Sequence, residues 1–129
     1  MESQTAQKAK LKSLAPQLVV SDVVKTAEYY RDVLGFIVLG YWAEPPVYSI
    51  VQRDGVEIHF GKAKESGVSN SKIRGGAFDL YIWVSDIDAI FEELKASGAE
   101  IIEGPVKRIY DCTELTVKDC NGYSLVFAV

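Results

Sequence analysis

The sequence is poor in the groups on which most catalytic and metal chemistry draws. It holds one histidine, His59, one methionine and two cysteines in 129 residues. Cys112 and Cys120 stand eight positions apart around TELTVKD, which is not the Cys-x-x-Cys spacing of a metal or redox motif. Two free thiols in a reducing compartment are the simpler expectation. No apolar run approaches the roughly 20 residues that a membrane helix needs. The opening MESQTAQKAKLKSLAP lacks the apolar core of a secretion signal. We therefore expect a flexible arm over residues 1–13, a cytoplasmic chain and no membrane partner. Fourteen Lys and Arg stand against 18 Asp and Glu, with no basic stripe. Nucleic acid is not an expected partner, because phosphate contacts need clustered cations. There is no Gly-x-Ser-x-Gly, and GKAKESGVSNS lacks the Gly-Lys-Ser/Thr ending of a nucleotide loop.

What is present is a repeat. Hydrophobic residues make up 48% and charged residues 25%, the mix of a globular domain, and residues 14–129 are enough for one core. LVVSDVVKTAEYYRDVLGF, from Leu18, parallels YIWVSDIDAIFEELKASGAE, from Tyr81. Each has a β-branched and aromatic run, then Val-Ser-Asp, a helical pattern and a glycine (Gly35, Gly98). Asp or Ser caps each helix by accepting from the free amides of its first turn. Ile87, Ile90, Phe91 and Leu94 keep helical spacing, as do Val23, Ala27, Tyr30 and Leu34. Asp54-Gly55 and Asn121-Gly122 then mark hairpins, with both turn residues expected at positive φ. The expected fold is α+β: two tandem modules of strand, helix and three strands, whose curved sheets form a cup-shaped cleft. Module one spans about residues 14–61, a mobile linker 62–76, and module two 77–129.

Strand alternation sorts the side chains. With Leu18, Val20, Ile58, Phe60, Leu80, Ile82, Val84, Leu125 and Phe127 under the helices, the cup receives Gln17, Val19, Glu57, His59, Asp79, Tyr81, Trp83, Ser124 and Val126. Trp42, Tyr48 and Tyr110 lie in segments expected at its mouth. An aromatic wall with a few polar groups suits a small-molecule pocket. Trp83, Tyr81 and Tyr48 are equally at home in packing or in a dimer interface. Glu57 is either a ligand group or a solvated, ion-paired strand residue. His59 is a metal ligand, an acid–base group or a pocket lining. Asp79 is its expected hydrogen-bond partner, structural or catalytic, the carboxylate fixing the imidazole tautomer.

The phrases SDVVKTAEYYRDVLGF, YWAEPPVYSIVQRDGVEIHF, IWVSDIDAIFEELKASGAE and DCNGYSLVFAV resemble the vicinal oxygen chelate superfamily, which includes glyoxalase I, bleomycin resistance proteins and extradiol dioxygenases. The resemblance implies a metal site in many members, one ligand from the first and last strand of each module. Those positions fall on Ala15, His59, Asp79 and Val126. Alanine and valine bind no metal, and two ligands rarely hold a divalent ion against water. The chain looks most like the metal-free, bleomycin resistance-like branch. That likeness implies a homodimer with clefts between subunits, no cofactor, and sequestration of an aromatic or cationic small molecule such as an antibiotic. The expected ligand-binding residues are Gln17, Trp42, Tyr48, Glu57, His59, Asp79, Tyr81, Trp83, Tyr110 and Ser124. The alternative is a small lyase or isomerase using His59 and Asp79 as acid–base groups or as a partial metal site.

Overall fold

A computed structural model of the chain describes residues 6–129. Of the expected arm, residues 1–5 lie outside the described residues, and 6–13 are exposed and form no helix or strand. The elements run β1 (Gln17–Val20), α1 (Val23–Asp32), β2 (Ile37–Trp42), β3 (Tyr48–Arg53), β4 (Val56–Lys62), α2 (Asn70–Ile73), β5 (Leu80–Trp83), α3 (Ile87–Ser97), β6 (Glu100–Lys107), β7 (Thr113–Lys118) and β8 (Ser124–Ala128). Hydrogen bonds order them as two four-stranded mixed sheets, β1-β4-β3-β2 and β5-β8-β7-β6. In each, the first and last strands of the module pair in parallel and the others antiparallel. The expected α+β pair of modules is thus the fold.

Local chemistry explains the boundaries. Asp22 Oδ1 accepts from the amides of Val24 and Lys25 at 3.1 and 3.0 Å, and Asp86 Oδ1 from that of Ala89 at 3.0 Å. Both satisfy first-turn donors that a helix leaves free. Gly98 closes α3 in the left-handed conformation at φ 86°. Helix α1 ends differently: Val33 is its cap and Gly35, φ 76°, turns the chain two residues later. Asp54 and Gly55 both have positive φ, as a tight hairpin requires. At the second turn only Gly122 does. Its loop is longer, since Lys118 pairs with Ser124 where Gln52 pairs with Glu57. Asp119 organises the extra residue by accepting from the amides of Asn121 and Tyr123 at 2.8 and 2.9 Å.

The two modules share one core. Leu18, Val20, Ile58 and Phe60 of one sheet join Leu80, Leu125 and Phe127 of the other, with Tyr30 of α1 fully buried between them. Each module also grips the other's helix with its hairpin. Tyr30 donates to Asp119 Oδ2 at 2.7 Å and Asn121 Nδ2 to Thr26 Oγ1 at 2.9 Å. In return, Arg53 beside the first turn forks onto Glu93 of α3 at 2.6 and 2.8 Å.

The linker departs from expectation, because it is tied down rather than free. Gly67 donates its amide to Val19 O at 2.8 Å. Ser69 caps the single turn α2. Asp79 accepts from Ser69 Oγ at 2.6 Å, from the Asn70 amide at 2.9 Å and from the Ser124 amide at 2.8 Å. A carboxylate that binds one segment to two others is a clamp. Composition rich in Gly and Ser does not reveal it.

Candidate functional site

Alternation leaves one face of each sheet turned away from the core. On the first sheet that face carries Gln17, Tyr48, Glu57 and His59, from three adjacent strands. Gln17 lies opposite His59 across β1 and β4, and Tyr48 opposite Trp42 across β3 and β2. Gln17 Nε2 donates to Tyr48 Oη at 3.1 Å, Tyr48 Oη lies 2.8 Å from His59 Nδ1, and His59 Nε2 lies 2.6 Å from Glu57 Oε2. A carboxylate only accepts, so Nε2 of a neutral ring carries the hydrogen and Nδ1 accepts from the Tyr48 hydroxyl. The ring of Trp42 stands edge-on to Tyr48, centroids 6.3 Å apart. The His59 side chain keeps 22% of its surface exposed and Glu57 34%, so the group is open to a ligand.

Five expected residues therefore meet here, but the expected pair of His59 with Asp79 does not form. Both Asp79 oxygens are spent on α2 and β8, and the carboxylate that orients the imidazole is Glu57, two residues along the same strand face. For acid–base work this is a correction of partner.

The second face centres on Glu114, which is 5% exposed. Its Oε2 accepts from Tyr81 and Tyr110, both at 2.7 Å, and its Oε1 from Arg108 Nε at 2.9 Å. Arg108 also reaches Glu103 at 2.6 Å. Burial alone raises the Glu114 carboxyl, but the hydrogen bonds from Tyr81, Tyr110 and Arg108 outweigh it and hold the group below the usual carboxylate range. Burial and the facing carboxylate push the Tyr81 phenol well up. A cavity of about 1010 Å³ opens above, with Phe78, Tyr81, Arg108, Tyr110, Glu114 and Ser124 among its lining. Ser124 is buried, and it reaches Asp79 through its amide. Trp83 is 63% exposed with its ring 5.1 Å from Tyr81. It also borders a second cavity of about 360 Å³ beside Arg53 and Glu93.

Glu114, Arg108 and Glu103 were not among the expected residues. A signal for Glu114 exists in the repeat. His59 pairs with Ile50 and Gln17, and Val126 with Thr116 and Tyr81. Tyr48 and Glu114 each sit two residues before those partners, at equivalent positions. Cys112 and Cys120 are both free thiols, and burial pushes the Cys120 thiol up to about 11.

The donors at the superfamily's metal positions do not fit a divalent ion. Val126 is buried, Asp79 is saturated and Ala15 has no donor. Among the described residues no three His, Cys, Asp or Glu side chains gather to hold a metal. No helix among the described residues is long and apolar enough to cross a membrane.

Similarity to known proteins bears on the fold. No curated protein is significantly similar to the chain in sequence. Among solved structures, a bleomycin resistance determinant encoded on the transposon Tn5 superposes with a TM-score of 0.73 at 19% identity, covering 92% of this chain and 97% of that one. The bleomycin-binding protein of Streptomyces verticillus, complexed with copper(II)-bleomycin, gives 0.70 at 20% identity over 93% and 97%. TioX from Micromonospora sp. ML1 gives 0.72 at 21% over 91% and 97%. At such identities the likeness is one of fold. Residues 10–127 match the sequence profile of a single superfamily. The chain belongs to the Glyoxalase/Bleomycin resistance protein/Dioxygenase superfamily.

Proposed function

We propose that the protein binds an aromatic or cationic small molecule, an antibiotic among the candidates, and sequesters it without a metal. The observation that carries this reading is the cavity of about 1010 Å³ over Glu114. Its volume lies at the upper end of ligand pockets, and its walls mix aromatic rings with a few fixed polar groups. Both Tyr81 and Tyr110 spend their hydrogens on Glu114, so toward a ligand their oxygens can only accept. A ligand rich in N–H donors or carrying positive charge suits such a wall. Bleomycin binding by a protein of the same fold supports the class of ligand and leaves its identity open.

The cleft is completed, in this reading, by a second copy of the chain in the cytoplasm. The test is a thermal-shift screen of the purified protein against antibiotics and metabolites, bleomycin included, followed by recovery of the ligand. A stabilising compound recovered unchanged supports sequestration, and one recovered altered transfers the case to an enzyme. Elemental analysis after purification without added metal should find less than one ion per chain. One tightly held ion, lost in His59→Ala, would overturn metal independence.

A further inference from the structure

The first sheet holds an arrangement that sequestration does not use. We propose that Glu57, His59 and Tyr48 form a proton-transfer centre, in which the Tyr48 hydroxyl exchanges a proton with a bound ligand bearing an acidic C–H bond. This goes beyond sequestration in the cavity over Glu114, and takes the open face of module one as a second place for a ligand.

The chain of hydrogen bonds runs in one direction. With the His59 ring neutral, Gln17 donates to Tyr48, Tyr48 to His59, and His59 to Glu57, over 3.1, 2.8 and 2.6 Å. A hydroxyl bonded to a neutral imidazole, which is oriented in turn by a carboxylate, is the general form of an activated oxygen. Tyr48 passes its proton to His59 Nδ1, and the imidazolium is held by Glu57. The phenolate oxygen, stabilised by the Gln17 amide, takes the proton from the ligand's C–H bond. That bond's electron pair moves into the neighbouring electron-poor bond or expels a leaving oxygen. The imidazolium proton then goes to that oxygen or to water, which reaches the partly exposed ring. The cycle closes with no oxidant and no cofactor.

Module two is the internal comparison. By strand register Tyr81 stands where Gln17 does, Glu114 where Tyr48 does, and Val126 where His59 does. Its phenols donate to a carboxylate already engaged by Arg108. Ionising either phenol would set two anions together, with no neutral base to receive the proton. The two halves share a layout, and only the first is wired for transfer.

The test uses a nitrobenzisoxazole, a flat bicycle whose ring C–H is removed by a base as its N–O bond breaks and a coloured cyanophenolate leaves. Binding is read separately, by quenching of Trp42 fluorescence in a Trp83→Phe background. The full-length protein should turn the probe over with saturation. Tyr48→Phe and His59→Gly should each lower kcat about 100-fold or more, within the range of positioned general bases. Added imidazole should restore His59→Gly, which a merely structural histidine would not allow. Glu57 is a positioning residue, so Glu57→Gln should lower kcat and leave KM unchanged, with Glu57→Asp recovering part of the loss. Circular dichroism melts confirm that each variant is folded. Saturable quenching without turnover, or turnover unaffected in Tyr48→Phe or His59→Gly, overturns the transfer centre and leaves the binding reading standing. Absence of both quenching and turnover overturns the transfer centre together with ligand binding at this face.

Discussion

At the scale of single residues, Glu114 was the hardest group to read and is the easiest to test. Its own strand, ELTVKD, was legible. Its partner in the repeat was hidden because the second hairpin loop is one residue longer. Counting back from the turn glycines sets Tyr48 beside Leu115, and a slip of one residue exchanges the two faces of a strand. Exchanging Glu114 for Gln sets an amide hydrogen against a donor, so Arg108 or a tyrosine loses its acceptor. We expect a loss of ~1–3 kcal/mol near neutral pH, the cost of an unsatisfied buried group. The pH dependence has a definite sign. The folded carboxyl lies below its ordinary value of 4.5, so its contribution is present above that value and fades as the pH falls through the lowered one. Urea unfolding should therefore show the gap between wild type and Glu114→Gln narrowing in acid, and a widening gap would contradict the assignment. Gly104 bears on the same group. It sits at φ 106°, and a side chain there would strike the backbone carbonyl of Glu114. Gly104→Ala should cost ~1–3 kcal/mol through backbone strain, read as a lower unfolding midpoint.

At the scale of elements, nearly all the long periodic segments were readable, because caps, turn glycines and alternating apolar residues agree with one another. Strands β2 and β6 were less so. Each carries a break in register, which interrupts the alternation that marks a strand. The clamp at Asp79 was missed for another reason, since its partners are two amides and a serine and leave no periodic trace. Two links between helix and hairpin differ in worth. The Tyr30 hydroxyl bonds a carboxylate in a fully buried setting, whereas the Arg53–Glu93 pair is partly solvated. Tyr30→Phe keeps the ring packing on Phe36 and Phe60 and should cost ~1.5–3 kcal/mol. Glu93→Gln should cost less than ~1 kcal/mol. Chemical denaturation of both variants ranks them, and the reverse order would show that the surface link dominates.

At the scale of the whole molecule, the expected fold was recovered and the expected site divided. The ten residues named for one pocket divide between the two modules, five around His59 and Tyr48 in the first and Asp79, Tyr81, Trp83, Tyr110 and Ser124 in the second. A single chain leaves Trp42, Ile37 and Leu39 about half exposed on edge strand β2, and Trp83 and Ile102 on the two opposite edge strands β5 and β6 of the other sheet. Two-fold pairing is the commonest way to cover such faces. We predict a homodimer of about 29 kDa, twice the 14.3 kDa chain. Ligand should strengthen it if each cleft draws on both copies. Light scattering that gives one chain per particle at micromolar concentration, with affinity unchanged on dilution, would refute this.

Among the described residues no strand crosses from one sheet to the other, and the halves are joined chiefly through the core and the two hairpins. A gene that arose by doubling could therefore alter one face while its twin stayed as it was. Substitutions on the open side spare the shared interior, so they leave the chain above the threshold for folding. Glu114 where the other half has Tyr48, and Val126 where it has His59, show how far the two open faces differ. New specificities in this chain should be sought by varying one half at a time.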